Sequence, residues 1–559
     1  MSSLGVSYGE DSLIFEAATG QASIEAFDGP ASFQCYNIGS VNGSGATSVG
    51  TQYNLTLDAN QVLSNYMVET FTVNCVLNMT VGAAAITVGN VIPFVEGFFG
   101  PRSFCIDRVT QNTTISANGV SFVTNLVDVV TPLASFMASE DSTGYMSTDL
   151  LPKYSDPLAT GNQAYPFVIQ GGAINNPLHG AYGATSKNLG RTGVIQNLSV
   201  STNLPAAAGA AFPVTVSFTM SVPFINSLTT TDKRRERGLF GLRNSITVQR
   251  NLNAGAGTLL VQAAITNAIT TGNVTSVSFS VSNPMLSYSL MTITPYVKVP
   301  KTFYFAYDYL NQVQASTLYD LGVVGASSSL SINGIQLGRV PKYIYVYCAN
   351  LPTAAATSAG NAGGVARTIT QLLAQPESPA TQITNLNVSC SASSAAMFSN
   401  MSAIQLYEEF GYKQGFVKSY PETGAVSAFI GTGTVGTTGN FNSVGLYGSV
   451  LKIPGSYLQF DWSKFTVGSP ITCNMNITAQ VTQLKAATVG AVSQLFAVIV
   501  DQNVLEIDTD TYATRIISEF VDRATLDSLH AITRAEEAKS PGERDLTIMG
   551  GKVLRKKRM

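Results

Sequence analysis

Charge is what this chain has least of. Only 12% of its 559 residues are Asp, Glu, Lys or Arg, against about a quarter in ordinary soluble proteins. The 34 acidic and 31 basic side chains leave a formal net charge of −3, so no global field draws the chain to nucleic acid or to an anionic membrane. Histidine is nearly absent: His179 sits in a "NNPLHGAYG" turn and His530 near the C-terminus. Neither has the paired spacing of a metal site or of a nucleophile–base arrangement. Cys35, Cys75, Cys105, Cys348, Cys390 and Cys473 include no CxxC pair and read as small buried apolar groups, not bridges or metal ligands. "GATSKNLGRTG" (183–193) lacks the spacing of a phosphate loop and does not lead from a strand into a helix. The adjacent Glu408 and Glu409 diverge on a helix, unlike a shared acid–base pair. The chain is therefore not expected to be an enzyme, and no cofactor or metal is expected.

Long apolar runs and an export signal are missing as well. The N-terminal "MSSLGVSYGEDSLIFEAATG" has no basic patch leading into an apolar stretch. The run "VGAAAITVGNVIPFVEGFFG" (81–100) is broken by Asn90, Pro93 and Glu96, and strands with turns account for it better than a bilayer span of about 20 apolar residues. Without secretion, the Asn-x-Ser/Thr triplets at Asn78 and Asn476 are by-products of a composition rich in Asn and Thr.

What the chain does have is alternation. "FPVTVSFTMSV" (212–222) interleaves Val214, Val216, Phe218, Met220 and Val222 with Thr215, Ser217, Thr219 and Ser221. "PITCNMNITAQV" (470–481) does the same with Ile471, Cys473, Met475, Ile477, Ala479 and Val481. A period of two over so long a run marks half-buried antiparallel strands. Gly- and Ser-rich stretches at 41–50, 204–212, 357–366 and 431–440 separate such runs, as turns do in an all-β protein. Two stretches have helical spacing. "SFVTNLVDVVTPLASFM" (121–137) places Val123, Leu126, Val127, Val130 and Leu133 on one stripe. "SAIQLYEEFGYKQGF" (402–416) opens with Ser402 and Gln405 at capping-box spacing.

A helix, Gly-rich loops and a long alternating strand thus occur at 121–222 and again at 402–481, an architectural duplication without residue-by-residue identity. The expected fold is all-β, two tandem jelly-roll β-sandwiches with short inserted helices and a C-terminal tail. The expected division is 1–295 for the first roll, 296–505 for the second and 506–559 for a charged, partly helical tail. Residues 501–559 hold 11 of the 34 acidic and 10 of the 31 basic side chains. Within them, "TRIISEFVDRATLDSLHAITRAEEAKS" (514–540) has an amphipathic helical pattern, followed by Pro541-Gly542 and the basic cluster Arg555, Lys556, Lys557 and Arg558. A second charge cluster, "DKRRERGLFGLR" (232–243), reads as a solvated interstrand loop or as a contact with a neighbour.

Several ordered pieces resemble a known family. They are "NPMLSYSLMTITPYVKVPKTFYFAYDY" (283–309), "SSLSINGIQLGRVPKYIYVYCAN" (328–350), "MSAIQLYEEFGYKQGF" (401–416), "GLYGSVLKIPGSYLQF" (445–460) and "TMSVPFINSLTTTDKRRERGLFGLRNSITVQRN" (219–251). Together they resemble the major capsid proteins of the double-jelly-roll lineage, especially those of polinton-like viruses, adintoviruses and virophages. The resemblance implies a structural, self-assembling subunit of an icosahedral DNA virus. Three copies would form a pseudo-hexagonal, hexon-like capsomer located in the virion and assembled in the host cytoplasm or nucleus. It implies neighbouring capsomers, penton and minor capsid proteins as partners. The tail would face the interior, where its basic cluster would meet genome DNA or an inner membrane; a nuclear-import address and a merely solvated terminus are the other readings of that cluster. The alternative is a two-domain β-sandwich adhesin or glycan-binding protein, which would be expected to carry an export signal and Ca²⁺-ligand clusters.

One strand is unusual. In "GRVPKYIYVYCAN" (338–350), Tyr343, Tyr345 and Tyr347 alternate with Ile344, Val346 and Cys348, so neither face is polar. Either it lies at a roll–roll or subunit contact, or it is a central strand whose outer face is covered by a loop.

Overall fold

A computed structural model shows a chain built of antiparallel strands. It describes a strand framework from Gln34 to Ile517, with two further two-residue strands at Ile548–Met549 and Lys552–Val553. Residues 1–33, 82–98, 416–448, 518–547 and 554–559, most of 137–194 and 351–380, and several shorter loops lie outside the described residues.

The first eight principal strands are β1 (Gln34–Asn42), β2 (Gly50–Leu57), β3 (Gln61–Thr80), β4 (Thr110–Ala117), β5 (Val120–Asn125), β6 (Ala211–Pro223), β7 (Asn244–Leu252) and β8 (Val274–Ile293). They form two sheets, in the orders β1-β8-β3-β6 and β2-β7-β4-β5. The next eight are β9 (Thr302–Asp320), β10 (Ser327–Arg339), β11 (Tyr343–Asn350), β12 (Thr381–Cys390), β13 (Ser393–Met397), β14 (Val450–Pro454), β15 (Pro470–Gln483) and β16 (Val492–Asp508). Their sheets have the orders β9-β16-β11-β14 and β10-β15-β12-β13. In both halves the first strand pairs with the eighth, the second with the seventh, the third with the sixth and the fourth with the fifth. A long hairpin rolled over on itself produces that nesting, and it defines the jelly roll.

Side-chain period holds each sheet in register. On β6, Phe212, Val214, Val216, Phe218, Met220 and Val222 are buried. The intervening polar row meets β3 outside, through Thr70 Oγ1 to Ser221 Oγ and Thr72 to Thr219, both at 3.1 Å. A one-residue slip would turn the hydroxyls into the core.

Three expectations are corrected. Residues 121–125 are not helical: they belong to β5, where Phe122 and Thr124 point inward and Val123 is 46% exposed. The cause is the Asn118-Gly119 turn between β4 and β5, whose φ values of 51° and 79° are those of a two-residue hairpin. The stretches 212–222 and 470–481 are not equivalent repeats either, since β6 is the sixth strand of its roll and β15 the seventh of the other. The true counterpart of β6 is β14, only five residues long, too short for its alternation to stand out. Finally, the amphipathic pattern beginning at Thr514 starts as a strand: β17 (Thr514–Ile517) pairs with Val504–Ile507 of β16. The remainder of 514–540 lies outside the described residues.

The two rolls share their cores. Ile344, Val346, Ile477, Ala479, Leu495, Ala497 and Ile499 fill the second roll. The far ends of β9 and β16 carry Phe305, Tyr307, Leu505 and Ile507 into the first roll's cluster of Tyr53, Leu55, Ile115, Phe122, Ile246 and Val248. Two loops also cross, one in each direction. Val129, beyond β5, packs on the outer face of the second roll. Leu373, between β11 and β12, packs among Phe71 to Met79 of β3 and the short helices α1 (Cys105–Val109) and α2 (Gly257–Leu260).

Candidate functional site

Strand β11 lies between β16 and β14, with Tyr345 opposite Val498 on one side and Lys452 on the other. Ile344, Val346 and Cys348 face the second roll's core. Tyr345, Tyr347 and Ala349 face outward, beside Val450, Phe496, Val498 and Val500. Val129 covers that outer face, with Leu133 and Phe136 packed against it. Both faces are thus buried within one chain, and the cover comes from the first roll. Tyr347 stacks on Phe496 at 5.7 Å, and Phe136 approaches Tyr345 at 5.4 Å. Lys452 Nζ lies 4.5 Å from the Tyr343 ring centroid and 5.5 Å from that of Phe136, an arrangement that favours a cation. Asp308 takes Lys342 Nζ at 2.9 Å and the Tyr343 hydroxyl at 3.1 Å. Burial, then the neighbouring Tyr345 and Asp308, push the Tyr343 hydroxyl far above the usual phenol range. It stays a hydrogen-bond donor.

A second cluster was not foreseen. Arg250 of β7 donates Nε to Glu69 Oε2 of β3 at 2.6 Å, and Nη1 to Asp107 Oδ1 of α1 at 2.7 Å and to Thr110 Oγ1 of β4 at 2.9 Å. Thr51 of β2 donates to Glu69 Oε1 at 3.1 Å. All five side chains are buried, and the guanidinium lies 5.5 Å from the Phe224 ring. The group ties the two sheets of the first roll together. Burial raises the Asp107 pKa, and Arg250 only partly opposes it. A signal for it exists in the sequence: Glu69 shares an inward register with Met67 and Phe71, and Arg250 shares one with Ile246, Val248 and Leu252.

Helix α3 (Ala403–Phe410) carries the expected capping box between Ser402 and Gln405. Its Leu406 and Phe410 are buried, whereas Ile404 and the following Tyr412 are exposed. Glu409 pairs with Lys413 and accepts from the Tyr457 hydroxyl at 2.9 Å, a surface cluster of small energetic weight. Cys75, Cys348, Cys390 and Cys473 are buried free thiols. Arg555, Lys556, Lys557, Arg558, Lys233, Arg234, Arg235, Arg237, His179, His530 and most of the apolar run 81–100 lie outside the described residues.

Comparison with known proteins sets this geometry in context. No family model and no curated protein sequence matches the chain. Among solved structures, a chain of the Sputnik virophage particle, determined by cryo-electron microscopy, superposes with a TM-score of 0.64 at 17% identity, over 86% of this chain and 88% of that one. The mavirus major capsid protein superposes with a TM-score of 0.59 at 14% identity, over 90% and 92%. The likeness therefore spans both rolls. The chain has the double-jelly-roll fold, shared with the Sputnik virophage chain and the mavirus major capsid protein.

Proposed function

We propose that the chain is the major capsid protein of an icosahedral DNA virus, a structural subunit and not a catalyst, assembling as a homotrimer into pseudo-hexagonal capsomers. The observation that carries this reading is the doubled nesting of strands, one roll fused to another with shared cores, matching two virophage structures over nearly their whole length. The low charged fraction of 12% adds support, since obligate interfaces are less charged than free surface. In this reading the chain divides near 294–301, between β8 and β9, and the charged tail follows the last sheet strands. Neighbouring capsomers, penton and minor capsid proteins are the partners. The basic cluster at 555–558 faces the particle interior, against DNA or an inner membrane.

Electron microscopy of the purified protein under assembly conditions tests the role: pseudo-hexagonal capsomers or shells support it, and dispersed single sandwich pairs contradict it. Trypsin tests the tail. In intact particles it should survive, and in free capsomers it should be cut first; rapid loss from intact particles would place it outside.

A further inference from the structure

Along β16 the inward-facing side chains change character twice. Leu495, Ala497 and Ile499 belong to the second roll's own core, and Leu505 and Ile507 to the core shared with the first roll. Asp501 and Asn503 lie between them in the same alternating register. Across the ladder, β9 sets Tyr309 opposite Asp501 and Tyr307 opposite Asn503. Arg339, at the end of β10, donates Nη1 to Asn503 Oδ1. Asn503 Nδ2 reaches the Tyr307 hydroxyl at 3.5 Å, and the Tyr307 ring meets Phe122 of β5 edge-on at 5.6 Å. A polar seam therefore runs from the second roll to the first, between two apolar cores.

Asp501 fits this seam poorly. Its Oδ1 is buried, and among the described residues no group donates a hydrogen bond to it. Arg339 is the cation that faces it, yet the described hydrogen bond of Nη1 goes to Asn503. Among the described residues, the phenols of Tyr307 and Tyr309 are the other titratable groups on this face. The Lys342–Asp308 pair lies on the opposite face of β9 by strand alternation. A carboxylate placed so is poorly solvated when charged and is accommodated when neutral.

We propose that Asp501 makes the roll–roll junction respond to pH, closing it more firmly when the carboxyl is protonated and loosening it when the carboxylate is charged. Burial pushes the Asp501 pKa up to about 6, with Arg339 opposing. The sign follows from linkage. The folded value lies above the roughly 3.9 of an unfolded Asp, so the folded state binds the proton more tightly. The junction gains stability as pH falls through about 6, the gain being complete below about 4, and loses it as pH rises. The direction is protective in acid.

Thermal unfolding of the full-length protein and of Asp501→Asn, each at pH 7.5 and pH 5.0, tests this. The variant should melt above the wild type at pH 7.5, and the gap should narrow by roughly half at pH 5.0. Comparing the two gaps cancels the other carboxyls, Asp107 included. An equal gap at both pH values, or a variant that melts lower at both, would overturn the proposal. If the variant does not fold, amide exchange in the wild type decides instead. After correction for intrinsic rates, protection of 302–309 and 501–508 relative to β12 and β15 should be roughly three- to tenfold higher at pH 5.0. No differential change would overturn it equally.

Discussion

Arg250 and Glu69 start from facing sheets of the first roll and meet in its interior, Nε to Oε2 at 2.6 Å. Removing one partner leaves the other charged and buried, so Glu69→Gln or Arg250→Leu should destabilise the protein by about 3–5 kcal/mol. Replacing Glu69, Asp107 and Arg250 together with apolar residues of similar volume should be far milder than Arg250→Leu alone. Chemical denaturation of the single and triple variants checks the contrast.

The cover over β11 gives a second expectation. Tyr347 is fully buried and stacked on Phe496, so Tyr347→Ala should destabilise by about 3–5 kcal/mol. Tyr343→Phe keeps the ring, removes the hydroxyl's hydrogen bond to half-buried Asp308, and should shift stability by about 1 kcal/mol or less. Similar losses for the two variants would mean that the outer face is not sealed as described.

Because Leu505 and Ile507 sit in the first roll's core, while Val129 and Leu373 each cross to the other roll, the two rolls should unfold as one. Calorimetry should show a single transition, and cleavage between β8 and β9 should release no stable half. Two separated transitions would show the rolls to be independent.

Burial pushes the thiols of Cys75, Cys348 and Cys390 up to about 12. At pH 8 almost none of each is thiolate, the reactive form. A thiol reagent should therefore label these three only as fast as the protein unfolds, and rapid native-state labelling at any of them would contradict their placement.

The turn at Asn118-Gly119 supplies a further test. Gly119 has φ of 79° with open space where a Cβ would stand, so Gly119→Ala meets backbone strain and no clash. The expected loss is about 1 kcal/mol, read from the denaturation midpoint.

Much of the framework was legible in the sequence. The alternations that became β6 and β15 and the Ser402–Gln405 cap are local patterns, and each formed as its period required. The helical reading of 121–137 failed over 121–125, because its stripe began on residues that an Asn-Gly turn commits to a hairpin. The first roll's ionic group was half visible, as Glu69 and Arg250 in apolar registers, and Asp501 breaks the inward row of β16 in the same way. Their partners were not visible, since Glu69 and Arg250 are separated by 181 residues and only the fold brings them together. The two-faced burial of β11 was readable as burial; that the cover would be Val129, Leu133 and Phe136 from the other roll was not.

The capsid reading stands or falls on self-association. Size-exclusion chromatography with light scattering at micromolar concentration should give a particle of about 177 kDa, three copies of the 58.9 kDa chain. A folded, soluble species of 58.9 kDa that persists at that concentration would contradict it.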